Sequence, residues 1–196
     1  MSLWTDREAL LAQVRAQMHE KRYQHTLGVA ESARRLAERY GADPKKAELA
    51  GFVHDYCKCW PVERMRQILI RHDYPQDLLH GEKELWHAFA GAIVIQSELG
   101  ITDPEVLQAV RYHTTGRPGM SLLEKVVCVA DYIEPNRSFP GVEQIRELAG
   151  KNLDEALAAA LGGTIRFLIE QRKTVYPLTL EAYNDLVSGL ETLGGI

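Results

Sequence analysis

The chain has 196 residues, of which 45% are hydrophobic and 26% are charged, a composition typical of globular proteins. Its length suits one domain or two small ones, and its formal charge of −4 argues against broad electrostatic binding to nucleic acid, which uses basic surface. No apolar run approaches the ~20 residues that a membrane span needs, and the N-terminus lacks the pattern of a secretion signal, so the expected location is the cytoplasm.

The three cysteines, Cys57, Cys59 and Cys128, are an odd number, which fits reduced thiols better than a disulfide framework. The Cys57-x-Cys59 pair offers metal-ligand side chains, but no second cysteine pair accompanies it. We therefore favour small, buried apolar residues as the interpretation of these side chains.

The first half of the chain shows the apolar spacing of five helices. A capping box, Thr5-x-x-Glu8, precedes the first helix, and Gly41 is a C-cap for the second. At Asp43-Pro44 a capping side chain comes directly before a proline in the first helical position, which predicts the start of the third. The predicted ranges of the second to fifth helices are about 22–40, 43–57, 61–73 and 82–100.

Four more helices are predicted in the second half. Asp103-Pro104 repeats the start signal for the sixth helix. Ser121, with Glu124 three residues later, caps the seventh, which Pro135 ends. The last two predicted helices cover 153–173 and 179–193.

Alternation with a period of two residues, which is typical of half-buried strands, is nearly absent from the chain. We therefore predict an all-α fold of about nine helices in a single domain, 1–196. No internal repeat, low-complexity tract or linker divides it. Gly162-Gly163 interrupts a strong helical pattern and predicts a kink or a helix boundary at that point.

Several of the seven histidines fall on apolar faces of the predicted helices. His25 leads an apolar stripe along the second helix, and His54 ends the apolar face of the third. His87 adjoins small and apolar residues in the fifth helix, and His113 follows valines at helical spacing in the sixth. Asp131 follows apolar residues at helical spacing in the seventh helix. Five helices thus each direct one metal-ligand type of residue toward the interior.

A single histidine on an apolar face is more often a hydrogen-bonded core residue than a metal ligand. An aspartate in such a place is harder to explain, because burying an unpaired carboxylate is costly. Asp55, which follows His54, and Asp131 would both need a partner. One shared cation satisfies all of these side chains together, and imidazole with carboxylate suits iron, manganese or zinc.

The second His-Asp pair, His72-Asp73, follows an apolar run but precedes a turn. It therefore lies at a predicted helix C-terminus, where a histidine interacts favourably with the negative end of the helix dipole. His19 and His80 lie among polar or turn residues. We interpret all of these residues as structural.

The order of His25, His54-Asp55 and Asp131 resembles the H…HD…D signature of the HD-domain metal-dependent phosphohydrolases. Longer segments narrow the resemblance to the YqeK-type bacterial family of symmetrical bis(5′-nucleosyl)-tetraphosphatases. These segments are RYQHTLGVAESARRLA, AGFVHDYCK, AVRYHTTGRPGMSLLEKVVCVADYIEPNRSFPGVEQIRELA and LTLEAYNDL. The similarity covers about residues 5–190, and the departures at Tyr56-Cys57 and at 162–163 replace no ligand-type residue.

This resemblance implies one or two metal ions, iron or another transition metal, in an HD core at about 20–140. It also implies that C-terminal helices at 141–196 complete a nucleotide pocket. Asp55 would bind metal and orient the nucleophile, while His87 and His113 would bind a second metal or act on the scissile phosphates. The implied metal ligands are His25, His54, Asp55 and Asp131. The implied substrate contacts are Arg22, Lys58, His87, His113, Thr114, Asp131, Arg137, Thr174 and Tyr176.

For the cations among these residues the alternative is a solvated surface position. Lys58 and Arg137 each lie within six residues of an implied ligand, and Arg22 lies one helical turn before His25. Arg117, in the glycine-rich loop after His113, is a further candidate. For the two candidate stacking residues, Tyr132 and Tyr176, core packing is an equal alternative.

The resemblance implies hydrolysis of diadenosine tetraphosphate, or a related dinucleoside polyphosphate, to two ADP. It also suggests a homodimer, while the net charge and the lack of a long apolar run argue against nucleic acid and membrane as partners. Two other functions stay open. One is an HD-family nucleotidase or phosphohydrolase acting on a mononucleotide or alarmone, and the other is a metal-dependent nucleotide sensor without turnover. A purely structural helical protein would leave the inward Asp55 and Asp131 unexplained.

Overall fold

The computed structural model describes residues 6–194, and within this range it is all helical, as predicted, with no strand. These residues form eleven α-helices, two more than predicted, and one 3₁₀ turn at Lys83–Leu85. The helices are α1 Arg7–Ala16, α2 Glu20–Tyr40, α3 Pro44–Val53, α4 Val62–Arg71, α5 Gln76–His80, α6 Trp86–Leu99, α7 Pro104–Tyr112, α8 Leu122–Ile133, α9 Val142–Ala149, α10 Leu153–Glu170 and α11 Pro177–Gly194.

The two helices that the sequence analysis missed are short. α5 has five residues and no side-chain cap, so it offers too few residues to show a helical period. α9 has eight residues and begins after Gly141, which has a positive φ and no capping side chain. Its buried Val142, Ile145 and Ala149 do recur at helical spacing, so the pattern was present but brief.

Most of the predicted caps are present. Asp43, Asp103 and Ser121 each accept hydrogen bonds from backbone N–H groups in the first turn of their helices, and Ser121 forms the complete capping box. Asp6 is the N-cap of α1. The predicted capping residue Thr5 lies outside the described residues.

α3 ends at Val53, earlier than the predicted end near Cys57. His54 accounts for part of this difference, since its Nδ1 lies 2.7 Å from the carbonyl oxygen of Gly51. Beyond it the backbone continues in successive tight turns up to Trp60. The HD pair therefore lies at a helix C-terminus and at the start of these turns.

α2 packs along α3 and α8. The α2–α3 contact is close, because a Cβ atom on Gly51 would lie 2.5 Å from the Cα atom of Ala30. α7 packs on α3, α6 and α8, while α9 and α10 pack on α8, and α11 packs on α10. This arrangement brings α2, the end of α3 and α8 to one shared interior.

The helix boundary predicted at Gly162-Gly163 is wrong, because α10 runs without interruption through both glycines. Gly162 leaves room for a neighbouring helix, since a Cβ atom there would lie 3.1 Å from the ring of Tyr183. Gly163 faces open space. The pair thus serves helix packing on one side only.

The cysteines are all free thiols, as predicted. Cys57 and Cys128 are buried, as predicted, but Cys59 is exposed, so the prediction of a buried side chain is wrong for Cys59. Burial raises the pKa of both buried thiols, which keeps them protonated at neutral pH. Among the described helices, none combines the length and apolarity needed to cross a bilayer.

Candidate metal centre

Five helices deliver six ligand-type side chains to a common point, two of them from the end of α3. His25 lies in α2, two turns from its N-terminus, and Asp131 lies near the end of α8. His54 and Asp55 follow α3, where the chain turns. The centre is closed by His87 at the start of α6 and His113 just after α7.

The four implied metal ligands lie within contact distance of each other. His25 Nε2 is 3.0 Å from Asp131 Oδ1 and 3.6 Å from Asp55 Oδ2. His54 Nε2 is 3.3 Å from Asp55 Oδ2 and 3.8 Å from Asp131 Oδ1. Two histidine nitrogens and two carboxylates therefore surround one small volume, which is the donor set that the sequence suggested.

His87 and His113 form the other side of the centre. Their Nε2 atoms lie 3.2 Å apart, and His87 Nε2 is 3.2 Å from Asp55 Oδ1. Two overlapping groups offer ligand atoms that all lie within 4.8 Å of one another. These groups are His25 with His54 and Asp131, and His54 with Asp55 and His113. Asp55 thus faces both halves of the centre.

All four histidines direct Nε2 into the centre and Nδ1 away from it. The Nδ1 atoms of His54, His87 and His113 lie 2.6–2.7 Å from the backbone carbonyl three residues earlier. A hydrogen bond from Nδ1 leaves the Nε2 lone pair free for a ligand, which is the usual arrangement of metal-binding histidines.

Two of these Nε2 atoms supply the test of whether a metal fits. Those of His25 and His54 are buried and form no hydrogen bond, although carboxylate oxygens lie 3.0–3.8 Å from them. A buried polar atom without a partner is costly. A cation between these nitrogens and the carboxylates would remove that cost, so the residues fit a metal.

The electrostatics of the centre favour charged carboxylates. Burial acts to raise the pKa of Asp55 and of Asp131, but nearby histidines and, for Asp131, the charge of Arg137 lower it below the ordinary value. Burial, the largest single cause, acts to lower the pKa of His54, but the charges of Asp55 and Asp131 and the contact with the Gly51 carbonyl together raise it. His113 shows the opposite result, because burial and the neighbouring histidines lower its pKa to about 3.

Two of the three implied phosphate-binding cations contact the carboxylates directly. Arg22 donates from Nη1 to Asp55 Oδ2 at 2.8 Å. Arg137 donates from Nη2 to the carboxylate of Asp131 and from Nε to its backbone oxygen. Lys58 lies further out, where its Nζ is 2.9 Å from the exposed carboxylate of Glu84. The side chains of all three cations are partly exposed and lie next to residues of the centre.

The other implied substrate contacts are more scattered. Thr114 follows His113, and its Oγ1 is buried without a hydrogen bond. Thr174 is exposed in the connection between α10 and α11. Tyr176 is buried, and its ring packs against the ring of Phe89. Core packing thus accounts for Tyr176 in this structure, and its contact with substrate stays a prediction.

Two further candidates already have protein partners. Arg117 forms two hydrogen bonds to the buried carboxylate of Glu124. The hydroxyl of Tyr132 lies 2.7 Å from Thr164 Oγ1. These contacts support structural roles for both residues.

The remaining histidines lie outside the centre. His72 is the exposed C-cap of α4, and Asp73 has a left-handed φ of 54°. His80 is exposed at the end of α5. His19 is the N-cap of α2 and accepts a hydrogen bond from the backbone N–H of Arg22. Each has a place at a helix end, in agreement with the structural interpretation.

The sequence analysis missed Glu134, the C-cap residue of α8. It is 1% exposed, and its Oε1 lies 3.0 Å from Nδ1 of His25. Glu134 follows Asp131 by one helical turn, so both can face α2. That spacing was a usable signal, but the proline after Glu134 suggested only a helix end.

Comparison with known proteins places the chain in a family. An HD domain family model matches residues 22–136, more than half of the chain. The chain is 53% identical to the symmetrical bis(5′-nucleosyl)-tetraphosphatase of Bacillus subtilis (strain 168), over 94% of this chain and 99% of that protein. It is 44% identical to the Staphylococcus aureus (strain NCTC 8325 / PS 47) protein of the same name, over 84% of this chain and 86% of that protein.

A solved structure agrees with these relatives. A Clostridium acetobutylicum protein, described as a predicted HD superfamily hydrolase involved in NAD metabolism, matches with a TM-score of 0.89 and 40% identity. The match covers 93% of this chain and 97% of that chain. The chain therefore belongs to the HD-domain family and, within it, to the family of symmetrical bis(5′-nucleosyl)-tetraphosphatases.

Proposed function

We propose that this chain hydrolyses diadenosine tetraphosphate, or a related dinucleoside polyphosphate, at the centre of its phosphate chain to give two ADP. The observation that carries this proposal is the convergence of four histidine Nε2 atoms and two carboxylates, flanked by cations, in a protein that is 53% identical to a relative of that name. A tetraphosphate needs both features, because its negative charge repels a nucleophile and must be offset.

Membership of the HD family implies dependence on a divalent metal, and the clustered histidines and aspartates fit one. We assign His25, His54, Asp55 and Asp131 as its ligands and, on the family resemblance, iron as the metal. When bound, such a metal activates water near neutral pH and offsets charge on phosphoryl oxygens.

The reaction joins a water oxygen to one central phosphorus atom and breaks the bond from that phosphorus to the bridging oxygen. The electron pair of the broken bond stays on the bridging oxygen, which leaves on the second ADP. We assign Asp55 to orient the water, because its lowered pKa keeps the carboxylate ionised and able to accept a hydrogen bond. Its Oδ1 faces the histidine pair and its Oδ2 faces Arg22.

His87 and His113 are assigned to the scissile phosphates. Each has Nδ1 at hydrogen-bond distance from a carbonyl oxygen, so the short contact between their Nε2 atoms needs a shared proton or a second metal ion. His113 is neutral at physiological pH, because its pKa is lowered to about 3. We therefore assign His87 as the side chain that donates to the leaving oxygen.

Arg22, Arg137 and Lys58 are assigned to bind the outer phosphates. The planar guanidinium of an arginine pairs with two phosphate oxygens at once. Arg22 and Arg137 already lie against Asp55 and Asp131, so phosphates bound to them are held next to the ligand carboxylates. Thr114 lies on the same side, directly after His113.

The C-terminal helices are assigned to the nucleoside part of the pocket. α11 contacts the loop after His113, since the backbone N–H of Gly119 donates to Asp185 at 2.9 Å. Thr174 lies in the exposed connection that leads into α11. A domain that spans the whole chain, with its core at about 20–140, is consistent with this packing, while the homodimer stays a prediction.

Product analysis tests the cleavage position. The protein is purified without oxygen, its metal content is measured, and it is incubated with diadenosine tetraphosphate before chromatography. ADP as the sole product supports the proposal, whereas AMP with ATP would overturn the cleavage position. Turnover of mononucleotides or alarmones in preference to the dinucleotide would favour the nucleotidase, and binding without turnover would favour the sensor.

Substitutions test the centre itself. We expect His54→Ala or Asp55→Ala to remove bound metal and to lower turnover by at least about 10³-fold, since both the ligand set and the nucleophile's contact are lost. His72→Ala is the matched control, because this histidine is exposed at a helix end. Equal losses from all three variants would contradict the assignment.

A further inference from the structure

One buried carboxylate at the centre has no part in the mechanism above. Glu134 is 1% exposed, and both of its oxygens have partners. Its Oε1 lies 3.0 Å from His25 Nδ1. Its Oε2 accepts hydrogen bonds from the backbone N–H of Asn136 at 2.7 Å and from the side-chain amide of Asn136 at 3.1 Å.

His25 needs this partner more than the other histidines do. His54, His87 and His113 lie beside helix ends or turns, where backbone carbonyls are available to Nδ1. His25 lies inside α2, where the carbonyls of the preceding turn are used by the helix itself. The hydrogen bond that fixes its ring must therefore come from another part of the fold.

The contacts of Glu134 determine which nitrogen of His25 carries the hydrogen. Two N–H donors from Asn136 converge on Oε2, so Oε1 is the oxygen left to face His25. A carboxylate oxygen accepts hydrogen bonds, and the 3.0 Å contact therefore assigns Nδ1 of His25 as the donor to Oε1. The lone pair of a neutral His25 is then on Nε2, which is buried, lacks a hydrogen bond and faces Asp55 and Asp131.

Helix α2 leaves space for the carboxylate of Glu134 at a glycine. A Cβ atom on Gly28, one turn after His25 in α2, would lie 2.5 Å from Glu134 Oε2. Arg146, on α9, donates to the backbone oxygens of Glu134 and Arg137 and so fixes the segment from the other side.

We propose that Glu134 is a positioning residue for the metal centre, which fixes His25 in the tautomer and orientation that present Nε2 to the metal. This inference rests on the assignment of His25 as a ligand in the proposed function. Glu134 contacts neither metal nor substrate in this arrangement and acts through His25 alone.

Glu134→Gln is the direct test, because it keeps the shape of the side chain and changes one acceptor into a donor. The two donors of Asn136 hold the amide oxygen at the Oε2 position, which turns the amide nitrogen toward His25. Nδ1 must then accept and Nε2 carries the hydrogen. We expect about 10- to 100-fold weaker metal affinity, the usual effect of losing such a partner.

The measurements are the dissociation constant of Co²⁺ with the metal-free full chain, the visible absorption spectrum of the Co²⁺ form, and the unfolding temperature without metal. The spectrum reports the ligand set, so a purely structural role of Glu134 would leave it unchanged at saturating Co²⁺. Glu124→Gln is the matched control, because it alters another buried, hydrogen-bonded carboxylate of α8 away from the centre. It should keep the wild-type spectrum and affinity.

Gly28→Ala gives an independent test that leaves Glu134 in place. Its new methyl group should displace the carboxylate and weaken Co²⁺ binding, whereas Gly163→Ala, at a helical glycine facing open space, should not. In a Glu134→Ala background the clash is relieved, so Gly28→Ala should then add little further loss. Independent, additive losses would contradict an action through Glu134.

The outcomes separate the two proposals. If His25→Ala loses Co²⁺ while Glu134→Gln keeps wild-type affinity and spectrum, the positioning role is overturned and the metal centre stands. If His25→Ala itself keeps wild-type metal binding, the assignment of His25 fails and the positioning role fails with it. Loss of affinity and a changed spectrum in Glu134→Gln, with a folded metal-free protein, support the positioning role.

Discussion

At the level of single residues, the metal centre depends on the direction in which each imidazole ring points. Sequence spacing predicted that His25, His54, Asp55 and Asp131 face the interior, because helical periodicity fixes the face of each residue. It did not predict the backbone carbonyls that hold Nδ1 of three histidines, since these depend on where each helix ends. Such contacts follow from tertiary packing rather than from residue type.

The protonation of His54 predicts how metal binding depends on pH. In the metal-free protein burial is the largest single influence on the pKa of His54 and lowers it, but the charges of Asp55 and Asp131 and the contact with the Gly51 carbonyl together raise the pKa above its ordinary value of about 6.5. Below that raised pKa a metal must displace a proton from His54, so the apparent affinity should fall as the pH falls. Asp55 and Asp131 stay ionised because their pKa values are lowered.

Titration of the metal-free protein with Mn²⁺ between pH 5.5 and pH 8 measures this dependence. His54 should contribute up to about tenfold in dissociation constant per pH unit below its pKa. The His72→Ala variant should give the same slope, because His72 is remote from the centre. An affinity that does not change down to pH 5.5 would contradict a proton on His54.

Substitution of Arg22 tests whether the cations next to the metal centre bind phosphate. Its guanidinium lies 2.8 Å from Asp55 Oδ2, so Arg22→Gln should weaken phosphate binding while the metal ligands remain. Because a charge-assisted hydrogen bond contributes about 1.5–3 kcal/mol, kcat/KM should fall about 10- to 150-fold. Metal content should match the wild type, and Arg35→Gln, at an exposed position of the same helix, serves as the control. Loss of metal from Arg22→Gln would show that the arginine supports the centre instead.

At the level of whole helices, the sequence predicted the helix bounds well where capping residues mark them and poorly elsewhere. Asp43-Pro44, Asp103-Pro104 and Ser121 mark starts that the structure confirms, because the capping side chains bond backbone N–H groups in each first turn. α5 lacks such a cap and was missed. The paired glycines at 162–163 suggested a kink or a boundary, but α10 runs through both, and Gly162 instead allows the close approach of the Tyr183 ring.

The α2–α3 contact gives a prediction about stability. A methyl group on Gly51 would lie 2.5 Å from the Cα atom of Ala30, and that backbone cannot move without shifting α2. We expect Gly51→Ala to lower the free energy of unfolding by about 1–3 kcal/mol, as overpacking does. Urea denaturation measures this change. Gly163→Ala is the matched control, because it adds a methyl group to a helix in open space and should raise stability by up to about 1 kcal/mol.

At the scale of the whole molecule, the loop after His113 adds a connection between the metal centre and α11, beside the packing of α9 and α10 on α8. The loop that follows His113 packs onto α11, since a Cβ atom on Gly116 would lie 2.9 Å from Cβ of Ala182. Sequence periodicity predicted both elements but not their contact, because residues 66 positions apart in the chain meet there. Thr114, an implied substrate contact, lies at the start of this loop.

The bond between Gly119 and Asp185 therefore predicts an effect of α11 on substrate binding. Asp185→Ala removes the acceptor for the backbone N–H of Gly119 and loosens the loop that carries Thr114. The lost hydrogen bond contributes about 1 kcal/mol to holding the loop in place. Its loss should raise KM for diadenosine tetraphosphate by up to about fivefold, with metal content unchanged. Steady-state kinetics at saturating metal measure the change, and Glu181→Ala, an exposed residue one turn earlier in α11, is the control. If Asp185→Ala lowers metal content but not KM, the loop supports the metal ligands rather than the nucleotide pocket.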